Sequence, residues 1–341
     1  MMLRTVFATI AAFVMVAVTP PPAPAAEPLK MRISLDTGPA HARNKALENF
    51  VAVLNERAKG RLEVKIFDSG QLYRDRDVAK ALRQGAVEMA VPGFWFLGGL
   101  VAEAEVTMLP VFYGIDRETA YKLLDGVVAD EVNPKLGDQT RSQVLGKWLT
   151  MGFANTYSMK VPLNKPDDVA GLKIRAPGGS LLVARISALG ATPVNIPWTD
   201  LPLALSQGTV DAFVSSHESL VSAKMWDAGV KYGFEDHHFY AAYVPMVSDA
   251  FWSTLSPDLQ QAIKSAWADT IDGARESTAT AQAEARDTLI ANGMTIVTPA
   301  PAESEKWRRI LMKDEDDLVA KMKMNPDFVK RVAAEYDRLK K

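Results

Sequence analysis

Cysteine is absent from the 341 residues. The chain therefore has no disulfide framework, no thiol nucleophile and no thiolate metal site, and a packed core has to hold it together. Histidine is scarce: His41, His217, His237 and His238 are the four. None falls into HExxH or a comparable ligand spacing, and the adjacent His237 and His238 cannot both face one ion from the side of a helix. Charge of one sign is lacking too. The 39 basic and 41 acidic residues give a net charge of −2, which offers nothing to nucleic acid or an anionic membrane face. There is no GxSxG elbow, no GxxxxGK(S/T) loop and no GxGxxG after a strand, so no cofactor and no metal are expected. Beyond the first 25 residues, no stretch approaches the roughly 18 consecutive apolar residues of a membrane helix.

What is present begins with a leader. Met1–Arg4 carries one positive charge, Val6–Val18 is uncharged and apolar, and Ala23-Pro24-Ala25 places small residues where a signal peptidase reads. The segment reads as a secretory signal peptide cleaved after Ala25; an uncleaved anchor is the alternative, but the run is short and no stop-transfer pattern follows. The remainder is long enough for two domains of ordinary size.

Leu29–Leu35 and Leu62–Phe67 alternate as strands, and Ala42–Ala58 and Asp77–Gln84 have helical spacing. Gly85–Val91 leads into a third short strand. This β–α–β–α–β pattern predicts an α/β fold with a parallel sheet covered by helices. Arg117–Gly126 and Val128–Leu136 read as helices, then Gln143–Thr150 and Phe153–Lys160 as extended, with Gly146 and Gly152 as bends or bulges. A second α/β unit follows: strands Leu172–Arg175, Thr192–Asn195 and Ala212–Ser215, helices Leu181–Leu189 and Asp200–Ser206. Tyr240–Val247 is a further extended run. With Ser256 as cap and Pro257 at the first position, a helix starts that only Gly273 interrupts before Ala291. At 1.5 Å per residue it spans roughly 50 Å. It either bends at Gly273 or lies across both units. Met294–Val297 reads as a strand, and Glu303–Met324 and Asp327–Lys341 as closing helices.

Two stretches suggest a site. In KPDDVAGLKIRAP (Lys165–Pro177) a turn precedes a strand whose last side chain is Arg175, at the lip of a strand-to-helix loop. Ligands collect outside the carboxyl ends of strands in open α/β sheets, and a guanidinium there can grip a carboxylate with both arms. The plainer reading is a surface ion pair. Pro92–Leu100 (PGFWFLGGL) is an aromatic loop, either a buried plug or the apolar wall of a cleft. Ser215, Ser216 and His217 are the one candidate for hydrolysis; neighbours on a strand point to opposite faces, and no orienting acid is identifiable.

With SGQLYRDRDVAKALRQGAVEMA (Ser69–Ala90), the run Lys165–Pro177 and LGATPVNIPWTDLPLALSQGTVDAF (Leu189–Phe213) in order, the chain resembles the solute-binding proteins of TRAP (tripartite ATP-independent periplasmic) transporters, DctP-like. The resemblance covers essentially the whole chain after the leader. It implies a periplasmic binding protein and not an enzyme: two α/β lobes, two sheets covered by helices, a ligand cleft between them and a long helix bridging both. Lobe I would comprise 26–151 plus 241–280, and lobe II 152–240 plus 281–341. It implies that Arg175 pairs with a substrate carboxylate, that Trp198 packs on the ligand beside Asp200, and that Ser215 stands where some members place an Asn. Gly178 and Gly179 would line the pocket. Ala154 and Asn155 stand where some members carry a second arginine, which argues against a dianionic ligand and leaves Asn155 as a neutral contact. Phe94, Trp95, Trp148 and Trp198 then favour a monocarboxylate with an apolar or ring-bearing body. Val210-Asp211-Ala212 departs mildly from the family's VDG.

The implied partners are a small carboxylate and the small and large membrane subunits, without nucleic acid, and the chain itself is expected to be a monomer or weak dimer. Capture would proceed by hinge closure. The alternatives are an exported hydrolase using Ser215 or Ser216 with His217, and a binding protein for an ABC importer or a sensor. N-terminal sequencing of the exported protein is expected to begin at Ala26; a sequence beginning at Met1 would mean an uncleaved anchor.

Overall fold

The computed structural model describes residues 27–340, and the predicted leader lies outside the described residues. Two sheets organise the chain. The first contains β1 (Leu29–Ser34), β2 (Leu62–Phe67), β3 (Met89–Ala90), β4 (Ser142–Val144) and β12 (Met246–Ser248), in the order β2-β1-β3-β12-β4. The second contains β6 (Asn155–Ser158), β7 (Lys173–Ala176), β8 (Thr192–Asn195), β9 (Ala212–Ser215), β10 (Tyr232–Phe234) and β13 (Thr295–Val297), in the order β13-β10-β6-β9-β7-β8. β1 runs parallel to β2 and β3, and β7 parallel to β8 and β9, each return being made by a helix on the sheet's face. The result is a two-lobed α/β fold.

Between the sheets lies an antiparallel ribbon of β5 (Leu149–Phe153) and β11 (Tyr240–Tyr243). The chain leaves the first sheet through β5 and returns to it through β11. The extended run Tyr240–Val247 is thus two strands, β11 and β12, separated at Val244-Pro245 and belonging to different sheets. The pairing register shifts between Ala241 and Ala242, so Met151 is the extra residue on β5, beside Gly152 at φ +84°.

The helix Pro257–Ala291 is one continuous 35-residue element. Gly273 makes no bend; a Cβ there would face open space. The helix packs on Ala42–Ala58, on the ribbon strand β5 and on His217–Ser222, so it touches elements of both lobes. Arg275 fixes it in place. Its guanidinium is buried, donates to both oxygens of Asp125 at 2.7 Å and to the Trp148 carbonyl, and lies 4.8 Å from the Tyr121 ring.

Some boundaries differ from expectation. Glu303–Met324 divides into Pro301–Met312 and Glu315–Met322. The helix His217–Ser222 and the strand β10 are too short to show a period; the Ser216 side chain, accepting from the Ser219 N–H, starts that helix. β7 extends to Ala176, so Arg175 is its penultimate residue and points into the protein. Arg275→Met leaves Asp125 and the Trp148 carbonyl without their donor and is expected to destabilise by about 3 kcal/mol, read from urea unfolding. A loss under about 1 kcal/mol would show that the helix is held by apolar packing alone.

Candidate functional site

The carboxyl ends of the parallel strands of both sheets converge on one cavity holding about 610 Å³ of empty space, part of it open to solvent. Past β1 come Asp36 and Thr37; past β3, Trp95 and Phe96; past β7, Pro177; past β8, Trp198; and at the end of β9, Ser215 and Ser216. Convergence of this kind follows from parallel topology, which leaves the loops after the strands free to line a crevice. The ribbon supplies Met151, Ala241 and Tyr243 to the same cavity.

Arg175 is 2 % exposed. Its Nε donates to the Ile196 carbonyl at 2.8 Å and Nη1 to the Val214 carbonyl at 3.3 Å, which fixes the plane of the fork. Among the described residues Nη2 has no partner, and no carboxylate pairs with this guanidinium. Burial pushes its pKa down to about 10, with Asp36 and Tyr243 pulling the other way through space, so it remains a cation at neutral pH. The Trp198 ring lies 5.8 Å away.

Across the cavity Arg43 is buried as deeply but fully matched. Nη2 donates to Asp36 and Nη1 to Asp75, each at 2.6 Å, and Nε donates to Thr37 at 3.0 Å. The Tyr243 ring lies 4.3 Å from the guanidinium carbon. Two carboxylates face this one cation. Burial first, then the neighbouring Asp36, raise the Asp75 pKa against the pull of Arg43.

His41 also lines the cavity. Its Nδ1 accepts from the Arg43 backbone N–H, so the ring proton sits on Nε2 and is donated to Ser219 Oγ at 2.9 Å. Burial holds this ring well below its usual pKa, so it is neutral.

Direct contacts join the two lobes around the cavity. At its rim Arg74 pairs with Asp200 at 3.0 Å. Deeper, the Glu105 carboxylate accepts from the Ser180 and Leu181 N–H groups at the start of the helix after β7, and burial raises its pKa to about 7 against those two bonds.

Of the residues singled out from the sequence, Arg175, Trp198, Ser215 and Trp95 line this cavity. Phe94 and Trp148 do not: both are fully buried and stack on each other 5.9 Å apart, with Trp148 Nε1 donating to Asn133. Asn155 accepts from the His237 N–H and faces a groove behind the ribbon. Gly178 lies against Phe96, where a Cβ would sit 2.9 Å from the ring; Gly179, at φ +92°, lies against Trp95. His217 gives Nδ1 to the Tyr157 hydroxyl and Nε2 to Glu235, so it has no nitrogen left for Ser215 or Ser216. An orienting acid for His217 therefore exists in Glu235, held down to about 2 because bonds from His217, Thr298 and Arg286 outweigh its burial. Sequence reasoning missed Asp36, Arg43 and Asp75. The strand-end rule applied to Arg175 would have found Asp36 directly after β1.

The model of the bacterial extracellular solute-binding protein family 7, DctP, matches residues 33–321. The chain belongs to that family. Its members are solute-binding proteins, not enzymes. Among curated relatives, the C4-dicarboxylate-binding periplasmic protein DctP of Rhodobacter capsulatus is 27% identical, over 87% of this chain and 88% of that one. The 2,3-diketo-L-gulonate-binding periplasmic protein YiaO of Escherichia coli is also 27% identical, over 79% and 80% respectively. Among solved structures, a TRAP periplasmic solute-binding protein from Sulfurospirillum deleyianum with bound succinate is 25% identical, with a TM-score of 0.83 over 91% of this chain and 99% of that one.

In this DctP-family chain, Arg43→Met leaves Asp36 and Asp75 buried without their cation. It is expected to cost about 3–5 kcal/mol in urea unfolding. An unchanged midpoint would show that the carboxyls are neutral and need no partner.

Proposed function

We propose that the protein is the extracytoplasmic receptor of a TRAP transporter, capturing an organic monocarboxylate and delivering it to the small and large membrane subunits. The observation that carries this reading is Arg175: a buried cation, aligned by two carbonyls, with one arm unpartnered in a cavity. An ion desolvated without a counter-ion is unfavourable, and a carboxylate on Nη2 relieves it while exchanging its water bonds for charge-assisted ones. Trp95, Phe96, Trp198 and Phe239 give the cavity apolar walls, which favours an apolar or ring-bearing body. The binding of C4-dicarboxylate and 2,3-diketo-L-gulonate by the relatives supports an organic acid as the ligand class.

The ribbon β5–β11 and the long helix form the connection about which the lobes would close. The Arg74–Asp200 pair at the rim is formed only when the lobes meet. Ligand would enter the open form and shift the population to the closed one, which the membrane subunits then recognise.

A thermal-shift screen of organic acids, joined to mass spectrometry of ligand released on denaturation, tests the reading. At least one carboxylate is expected to raise the midpoint, and Arg175→Ala to weaken its binding about 100-fold or more. Arg175→Met is expected to keep ligand-free stability within about 1 kcal/mol, because losing the bonds to the Ile196 and Val214 carbonyls is offset by removing a desolvated charge that has no paired carboxylate. A screen in which no carboxylate acts, or an Arg175→Ala protein that binds normally, would overturn it.

A further inference from the structure

The two walls of the cavity differ in polarity. On the wall formed by the second sheet stands Arg175, 2 % exposed, its Nη2 unpartnered. On the wall formed by the first sheet stand Asp36 and Asp75, 6 % and 3 % exposed, both lining the same cavity. Arg43 donates to Asp36 Oδ1 and to Asp75 Oδ2, so the two acids share one cation; burial and the hydrogen-bonded Asp36 beside it raise the Asp75 pKa to about 7 against the pull of Arg43.

Most donors on that wall are committed elsewhere, the Tyr243 hydroxyl being the exception among the described residues. Arg43 Nε points to Thr37, Nη1 also to the Val91 carbonyl, the Thr37 hydroxyl to Asn44, and His41 Nε2–H to Ser219. A ligand reaching across from Arg175 meets acceptors there and few donors. Between the two ends the lining is apolar (Trp95, Phe96, Met151, Val214, Phe239 and Ala241) apart from the Trp95 indole N–H, which is buried without a partner among the described residues.

We infer that Asp36 and Asp75 select the ligand's far end, so that the cavity takes a monocarboxylate carrying a hydroxyl or ammonium donor opposite its carboxylate and refuses a dicarboxylate. A donor at that end adds a hydrogen bond to two acids that share the single cation of Arg43. A second carboxylate would face two acids that share one cation, with only the neutral Tyr243 hydroxyl and Trp95 N–H as free donors. The selection works by attraction to one end group and repulsion of the other. It rests on the proposed carboxylate grip of Arg175, and it separates this chain from relatives that take C4-dicarboxylates.

Calorimetric titration of the ligand-free protein with matched acids tests this. One series is 4-hydroxybenzoate, 4-(aminomethyl)benzoate, 4-methylbenzoate and terephthalate; the other is 4-hydroxybutanoate, pentanoate and glutarate. If the organic-acid screen finds a binder outside both series, its methyl- and carboxyl-ended analogues take their place. The donor-bearing acid is expected to bind at least about tenfold more tightly than its methyl analogue, and the diacid more weakly than either. Asp75→Asn and Asp36→Asn, folded by circular dichroism, should reduce that preference to under about threefold and favour the diacid relative to wild type. A wild-type protein that binds the methyl acid or the diacid as tightly as the donor-bearing acid overturns the inference and leaves the Arg175 reading standing. Selectivity unchanged in both variants overturns it as well. If no carboxylate binds at all, the Arg175 reading falls and this inference with it.

Discussion

A single unmatched charge sets the terms for this molecule. Arg175 is held below the surface by the carbonyls of Ile196 and Val214, in a place where its pKa falls to about 10 because water is excluded. The guanidinium keeps its proton there, so the protein carries a buried cation with no counter-ion paired to it among the described residues. The parallel strands β7 and β9 hold the fork rigidly, and the aromatic loop past β3 closes the apolar side of the same space. A fork held in this way would need little further ordering to take an anion.

Arg43 shows that burial by itself does not make an arginine a binding group. It is less exposed than Arg175, yet two carboxylates, a hydroxyl, a carbonyl and an aromatic face surround it. Its role is to hold the loop after β1 and the start of the helix Asp75–Arg83 together, and so to position Asp36 and Asp75 on the cavity. The lobes meet through several kinds of contact. The Arg74–Asp200 pair is exposed and contributes little alone, whereas Glu105 at a helix N-terminus and the His41–Ser219 bond are shielded from water.

Much of the secondary structure was legible. Ala42–Ala58, Leu62–Phe67, Thr192–Asn195, Ala212–Ser215 and Pro257–Ala291 have the bounds that period and capping suggest, because each is long or sharply punctuated. His217–Ser222 and Tyr232–Phe234 were not, since three to six residues cannot display a period. The site was legible at Arg175, where strand, turn and helix follow one another closely. It was poorly legible among the aromatics. Phe94 and Trp95 are neighbours in one short turn, yet one joins Trp148 in the core and the other faces the cavity.

Local order along the chain is enough to establish alternating strands and helices, the 35-residue helix and a guanidinium at a strand's carboxyl end, because backbone propensity and side-chain period act over a few residues. Tertiary structure alone decided which charges meet. Arg43 lies 32 residues from Asp75, and Arg175 faces Asp36 from another sheet; whether a cation is matched or left free depends on distances that only packing fixes. The sequence thus determined that an arginine was available at a strand's carboxyl end, and the fold determined that it has no paired carboxylate among the described residues and what stands opposite it.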